Sequence, residues 1–332
     1  MRIVEIQINK AILHVLDANA TLPIFSQSEI DVSEPTTVKF IESHIKQFFT
    51  DPSTKAGTLS TDSYFDKDKI HNSFVDMSIR IANNLHDIIK KFPDIPGADL
   101  LIAIVGVENT EYVAVLKLNY RTAYTHFIDY EEDRTNNRII LQKTILPAEN
   151  QKIDEGALIN FSDNSCLIIE KKFLVDGERT NYFSEIFLQC KTELSKKESI
   201  SIINSTAKEV ARKYDNDEYE KTSLVKAAIY ESLEDEGYVD LGRVADTAFS
   251  NSDSMKEDYI RQVQEAGVTN RIPFYGEAPE KHFDKYKIKT DNGIELNIPM
   301  ELYRNRGIIE FINNPDGTVS ILIKKISKIQ NR

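Results

Sequence analysis

The chain has 332 residues, 41% hydrophobic and 28% charged, with a formal net charge of −12, enough chain for a large core and for two or three units. No apolar run approaches the roughly 18 residues of a membrane helix, and an acidic surface repels phosphates, so coating of nucleic acid by the whole molecule is excluded. Two cysteines, Cys166 and Cys190, lack metal-ligand spacing and read as free buried thiols in a reducing compartment.

In chain order, "RIVEIQINKAILHVLD" alternates apolar and polar residues and predicts a strand with one buried face. Glu5 and Lys10 interrupt it where a signal peptide needs an unbroken apolar stretch, so a cytoplasmic protein is expected. "SEPTTVKFIESHIKQFFTD" predicts a helix with Ser33 as N-cap, Pro35 in its first turn, and Val38, Ile41, Ile45, Phe48 and Phe49 at helical spacing. A second helix follows, with Phe74, Met77, Ile81, Leu85 and Ile88 on one stripe and Pro93 as its stop. "ADLLIAIVGVENTEYVAVLKLNYRTAYTHFI" then predicts a hairpin, turning near Glu108-Asn109-Thr110 with its second arm from Tyr112. Further strands are read in "RIILQKTILP", "GALINFSDNSCLIIEKKFL" and "YFSEIFLQC", with turns at Asp163-Asn164 and Asp176-Gly177. From about 196 to 266 the pattern is helical, with Gly237 as a C-cap. Two hairpin turns close the chain, at Asp291-Asn292-Gly293 and Pro315-Asp316-Gly317. The expected fold is α+β. An α/β domain with a mixed or antiparallel sheet and long helices spans 1–195, an acidic helical segment 196–268, and a small β unit with a basic tail 269–332.

The charge is uneven. From Lys281 to Arg332 ten Lys or Arg stand against six Asp or Glu, a net of +4 that leaves −16 for the remainder. Seven acids lie between Glu231 and Asp253, so the helices of 231–258 are either a solvated face or a docking face for a basic protein partner.

Catalytic signatures are sparse. There is no phosphate loop, no serine-hydrolase elbow, and no paired spacing among the six histidines that would suggest zinc. One pattern does need weighing. "CLIIEKK" is a strand ending in Glu170-Lys171-Lys172, and Mg²⁺-dependent nucleases place a metal-holding carboxylate and a water-orienting lysine on such an E-x-K strand end. Asp154 or Asp163 would be the second acid, but the usual Pro-Asp is missing, and the string also fits a charged strand end. Neither a metal nor a cofactor is assigned.

In the last hairpin Val319, Ile321 and Ile323 alternate with Ser320, Leu322 and Lys324, which predicts one buried face; Lys324, Lys325 and Lys328 extend that strand. Lysines on a strand edge serve either to block edge pairing or to hold an anion. The opening strand with "LHVLD", the hairpin "LLIAIVGVENTEYVAVLKL", the acidic helical middle and the closing "IELNIPMELYRNRGIIEFINNPDGTVSILIKKI" together resemble the 37-kilodalton nucleoid-associated bacterial proteins, and the chain's 37.9 kDa matches their size. The resemblance covers nearly the whole chain. It implies a non-enzymatic, DNA-binding protein of the cytoplasmic nucleoid, and carries over no contact residue. A nucleoid protein of isoelectric point about 5.1 needs either a homodimer that joins basic edges or a DNA-bound protein partner. The expected phosphate contacts are Lys287, Lys289, Arg304, Arg306, Lys324, Lys325 and Lys328. Tyr303 and Phe311 would stack on an unpaired base or pack inside the hairpins.

Overall fold

The computed structural model describes residues 5–17, 22–61, 63, 65, 67–131, 134–215, 217–274, 285–303, 305, 307–314 and 318–328. They fall into two compact units, one ending at Ser195 and the other beginning at Lys196. Arg304, Arg306 and the turn at Pro315-Asp316-Gly317 lie outside the described residues.

The first unit contains, in order, β1 (Ile6–Leu16), α1 (Pro35–Thr50), β2 (Lys55–Leu59), α2 (Lys67–Asn72), α3 (Phe74–Lys91), β3 (Ala98–Val107), β4 (Thr110–Asn119), β5 (Arg121–Glu131), β6 (Arg134–Ile145), β7 (Glu155–Asn160), β8 (Ser165–Ile169), β9 (Phe173–Val175), β10 (Glu178–Thr180), a π-helix (Phe183–Leu188) and β11 (Cys190–Thr192). Seven of these strands form one sheet in the order β1-β3-β4-β7-β8-β2-β11. Every neighbouring pair in it is antiparallel.

Its two faces follow the period of two. Leu100, Ile102 and Ile104 of β3 point to one face, where Phe74, Met77, Ile81, Leu85 and Ile89 of α3 cover them with Phe183 and Phe187 of the π-helix. Leu101, Ala103 and Val105 point to the other, under Ile41, Ile45 and Phe48 of α1. Both faces are thus covered, and β3 and β4 read as continuous apolar runs rather than as alternating ones. The five α3 side chains contribute roughly 10 kcal/mol of burial as an upper bound.

Several local expectations change. Ser33 does not cap α1, because its hydroxyl donates to Asp31 Oδ1 (2.6 Å); Glu34 takes the cap position and Pro35 the first helical one. "YFSEIFLQC" is not a strand but the π-helix followed by β11. Its start is fixed where the Ser184 N–H and hydroxyl donate to the Glu170 carboxylate (3.1 and 3.0 Å). The second arm of the long hairpin runs from Thr110 to Asn119, and Arg121–Glu131 pairs with β6 as a separate ribbon. The predicted turns hold: Asn164, Asp176, Gly177 and Gly293 all have positive φ.

The second unit contains α4 (Lys196–Lys213), α5 (Glu218–Glu236), β12 (Tyr238–Asp240), α6 (Leu241–Ala248), α7 (Asp253–Glu265), β13 (Arg271–Pro273), β14 (Lys285–Lys289), β15 (Glu295–Pro299), α8 (Met300–Tyr303), β16 (Ile309–Asn313) and β17 (Val319–Ile323). Asp217 caps α5 by accepting from the Tyr219 and Glu220 N–H groups, and Gly237 ends it at φ 72°. The helices share a core of Ile203, Val210, Val225, Ile229, Val244 and Tyr259. The hairpins β14–β15 and β16–β17 share a smaller one, where Ile298 and Ile309 pack with Tyr230 of α5.

The last hairpin departs from its expected burial. Val319 and Ile323 are exposed, and only Ile321 is partly covered. Five-residue strands with no third strand beside them cover only the centre of their inner face. The strand also ends at Ile323, so Lys324, Lys325 and Lys328 follow it rather than extend it.

Candidate nucleic-acid interface

On α5, Tyr219, Thr222 and Lys226 are three and four residues apart and lie on one stripe. On β14, Lys285, Lys287 and Lys289 share one face, while Ile288 turns to the hairpin core. Lys208 is contributed by α4. These pieces line a groove of about 370 Å³ whose walls include Lys208, Lys226, Lys287, Lys289, Tyr219 and Thr222. Among the described residues the one acid in its wall is Glu218, which accepts from both Nε and Nη2 of Arg212 (2.9 and 3.2 Å), and that guanidinium holds its carboxyl below the usual range. Lys289 pairs with Glu295 across the hairpin (2.9 Å), with both side chains exposed. Such a pair contributes under about 1 kcal/mol and yields readily to a stronger anion. The geometry suits an oxyanion through several ammonium donors around an open groove; the Thr222 hydroxyl donates inward, to the Glu218 carbonyl (2.6 Å).

Of the seven expected contacts, this groove unites Lys287 and Lys289. Lys324 instead pairs with Glu310 at 2.5 Å. Lys325 and Lys328 are exposed, Lys325 with a left-handed φ of 60°. None of these three lines the groove. Tyr219 and Tyr303 each pack against Phe311 with ring centres 5.5 Å apart and planes tilted by 50° and 56°, and all three are partly buried, which is packing within the unit. Sequence reasoning does not single out Lys208 and Lys226, since a lysine on a helix carries no sign that a strand about sixty to eighty residues away will meet it.

The acids of 231–258 are largely matched within their own unit. Arg243 reaches Asp235 (2.6 Å), Glu236 (3.3 Å) and Glu231 (3.9 Å); Asp258 accepts from Lys213 (2.7 Å) and from Arg261, and Lys256 pairs with Asp246. A cleft of about 650 Å³ is lined by Asp217, Glu220, Glu231 and Glu310 around Tyr219, Tyr303 and Phe311, with Glu231 paired to Arg243 and Glu310 to Lys324.

In the first unit, the Glu170 carboxylate is fully buried and held by Lys55 Nζ (3.1 Å) and by both donors of Ser184, while Lys172 is exposed. Asp154 is held by Lys171 (2.6 Å), Asn119 (3.2 Å) and Arg121 (3.4 Å). Asp163 accepts from the Ser165 N–H and hydroxyl (3.0 and 2.6 Å), so Glu170 and both candidate second acids are occupied by protein donors. Among the described residues, no three His, Cys, Asp or Glu stand where they could hold a metal, and no helix is long and apolar enough to cross a membrane.

A family model described as nucleoid-associated protein YejK matches residues 12–330. No curated protein matches the chain.

Proposed function

The chain belongs to the nucleoid-associated protein YejK family, and from that premise we propose that it binds DNA directly, as a non-enzymatic component of the cytoplasmic nucleoid. Lys287 and Lys289, joined by Lys208 and Lys226, make the phosphate contacts. The observation that carries this reading is the four-lysine groove, a local basic site on an acidic chain. Lysine is a point charge without the fork geometry that reads a base edge, so binding is nearly independent of sequence. Arg304, Arg306, Lys324, Lys325 and Lys328 are further contacts along the same end of the chain. A homodimer would offer two such grooves to one duplex.

Fluorescence anisotropy of a labelled duplex, titrated from low to physiological salt, tests the reading. At about −0.9 per phosphate neutralised, the four groove lysines contribute about −3 to −4 to the slope of log K against log[salt], and each further contact adds to it. The double variant Lys287→Gln/Lys289→Gln loses about half of that slope and weakens binding to every sequence alike. No binding at low salt, or an unchanged double variant, overturns the assignment.

The acidic cleft supports a second reading, a module recruited to a DNA enzyme through a basic segment of that partner. Partners that stay bound after nuclease digestion, and are lost in Glu220→Gln/Glu231→Gln, would favour it.

A further inference from the structure

The strands β5 and β6 pair with each other in a two-stranded sheet of their own. A lone hairpin is marginal in water even when short, and this one runs eleven and twelve residues per strand. It is pinned at its base: Tyr120 donates to Asp99 Oδ1 (2.7 Å) and Arg121 pairs with Asp154.

Its two faces differ. The cross-strand partners Phe127 and Arg138 lie on one, where Arg138 also pairs with Asp129 (2.6 Å) and sits 5.5 Å over the Phe127 ring. The charges of this face satisfy each other. The opposite face carries Tyr124 beside Leu141, His126 beside Ile139, then Ile128 and Tyr130. Its large side chains meet solvent: Tyr124 is 76%, Tyr130 77% and Ile139 82% exposed.

We propose that this apolar face is an interface with a second copy of the chain. Taken at about 200 Å² for each fully exposed large side chain, the five apolar residues offer on the order of 600 Å², close to the roughly 800 Å² per partner of a standard interface. A charged partner finds little complement there: apart from the two tyrosines, the titratable groups on that face among the described residues are His126 and, toward the base of the ribbon, Lys143. DNA is disfavoured as well: residues 121–145 carry four Lys or Arg against four Asp or Glu, three of those acids consecutive at 131–133. A face that is apolar over Tyr124, Ile128, Tyr130, Ile139 and Leu141 is complementary to itself, and two copies meeting across a twofold axis bury the same residues from both sides.

The test uses the full chain. Light scattering on a sizing column gives twice the chain mass for the native protein. Ile139→Lys raises the dissociation constant by about 30-fold or more, the scale of a central hot spot, while Gln142→Lys on the polar face leaves it unchanged. Circular dichroism verifies that each variant folds. Ile139→Cys cross-links to its own copy under mild oxidation and Gln142→Cys does not. A monomeric native chain, a dimer indifferent to Ile139→Lys, or an Ile139→Cys variant that does not cross-link overturns the proposal. The readout is mass, not DNA affinity, so its failure is separable from failure of the DNA-binding reading.

Discussion

The His14 ring is fully buried, and its tautomer follows from its neighbours. The Ser26 N–H donates to Nδ1 (3.2 Å), so Nε2 carries the proton and donates to the Ser78 hydroxyl (2.9 Å). Protonating Nδ1 breaks the first bond and places a charge in the core, and burial brings this pKa down to about 4. The unfolded chain protonates the same residue near 6.5. Its contribution is therefore complete above about pH 6.5 and is lost as pH falls toward 4, on the order of 3 kcal/mol. His44 and His86, also lowered by burial, act with the same sign. Urea denaturation should give a lower midpoint at pH 5 than at pH 7, with a smaller difference in His14→Gln; a midpoint that rises toward pH 5 contradicts this account. A second buried charge lies on β4. Lys117 Nζ, inaccessible to solvent, donates to Glu155 Oε2 (2.7 Å) and Asn119 Oδ1 (2.6 Å). Burial lowers its pKa, while the Glu155 carboxylate opposes that shift. Lys117→Met strands the carboxylate and should cost about 3–5 kcal/mol, much of it recovered by adding Glu155→Gln. Equal midpoints for the single and double variants would show that the pair is not coupled.

Among the elements, the closest approach is across β2. Gly57 sits between Cys166 of β8 and Cys190 of β11, free thiols whose sulfurs are 2.9 Å apart. A Cβ on Gly57 would come within 2.7 Å of Cys190 Sγ and 3.0 Å of the Lys191 carbonyl oxygen. Gly57→Ala should cost about 1–3 kcal/mol by overpacking, and Cys190→Ala in that background should restore part of it, read as paired thermal melts. The sequence announces the two buried thiols but not their meeting, because Cys166 and Cys190 lie on opposite sides of a strand that precedes both by over a hundred residues. The same limit explains the other differences. β3 and β4 are legible because strands covered on both faces are continuous apolar runs. The ribbon is not: Tyr124, Ile128 and Ile139 look the same in sequence whether a core or solvent meets them. The π-helix reads as a strand because Phe183, Ile186 and Phe187 are apolar and aromatic, while the bond that starts it comes from Glu170, fourteen residues earlier. In the groove, the alternation of Lys287 and Lys289 is visible in sequence and their helical partners are not.

Across the whole molecule, charge is divided unequally. Up to Ser195 there are 20 Lys or Arg against 29 Asp or Glu, a net of −9; from Lys196 onward 21 stand against 24, a net of −3. The unit with the lysine groove is thus nearly neutral, and most of the repulsion of DNA originates in the other unit. Long-range repulsion is screened, with a Debye length of roughly 30 Å at 10 mM salt and about 8 Å at 150 mM. Direct lysine–phosphate contacts persist at separations where the long-range term has vanished. Glu178 and Glu193 are exposed acids of the first unit, remote in sequence from the groove. Glu178→Gln/Glu193→Gln removes two negative charges from the repulsive term and leaves the contacts intact. Duplex affinity should rise by about two- to threefold at 10 mM salt and stay unchanged at 150 mM, so the salt slope steepens slightly. An equal gain at both salts would mean that these carboxylates stand close to the bound duplex, and that DNA reaches further over the first unit than the groove alone requires.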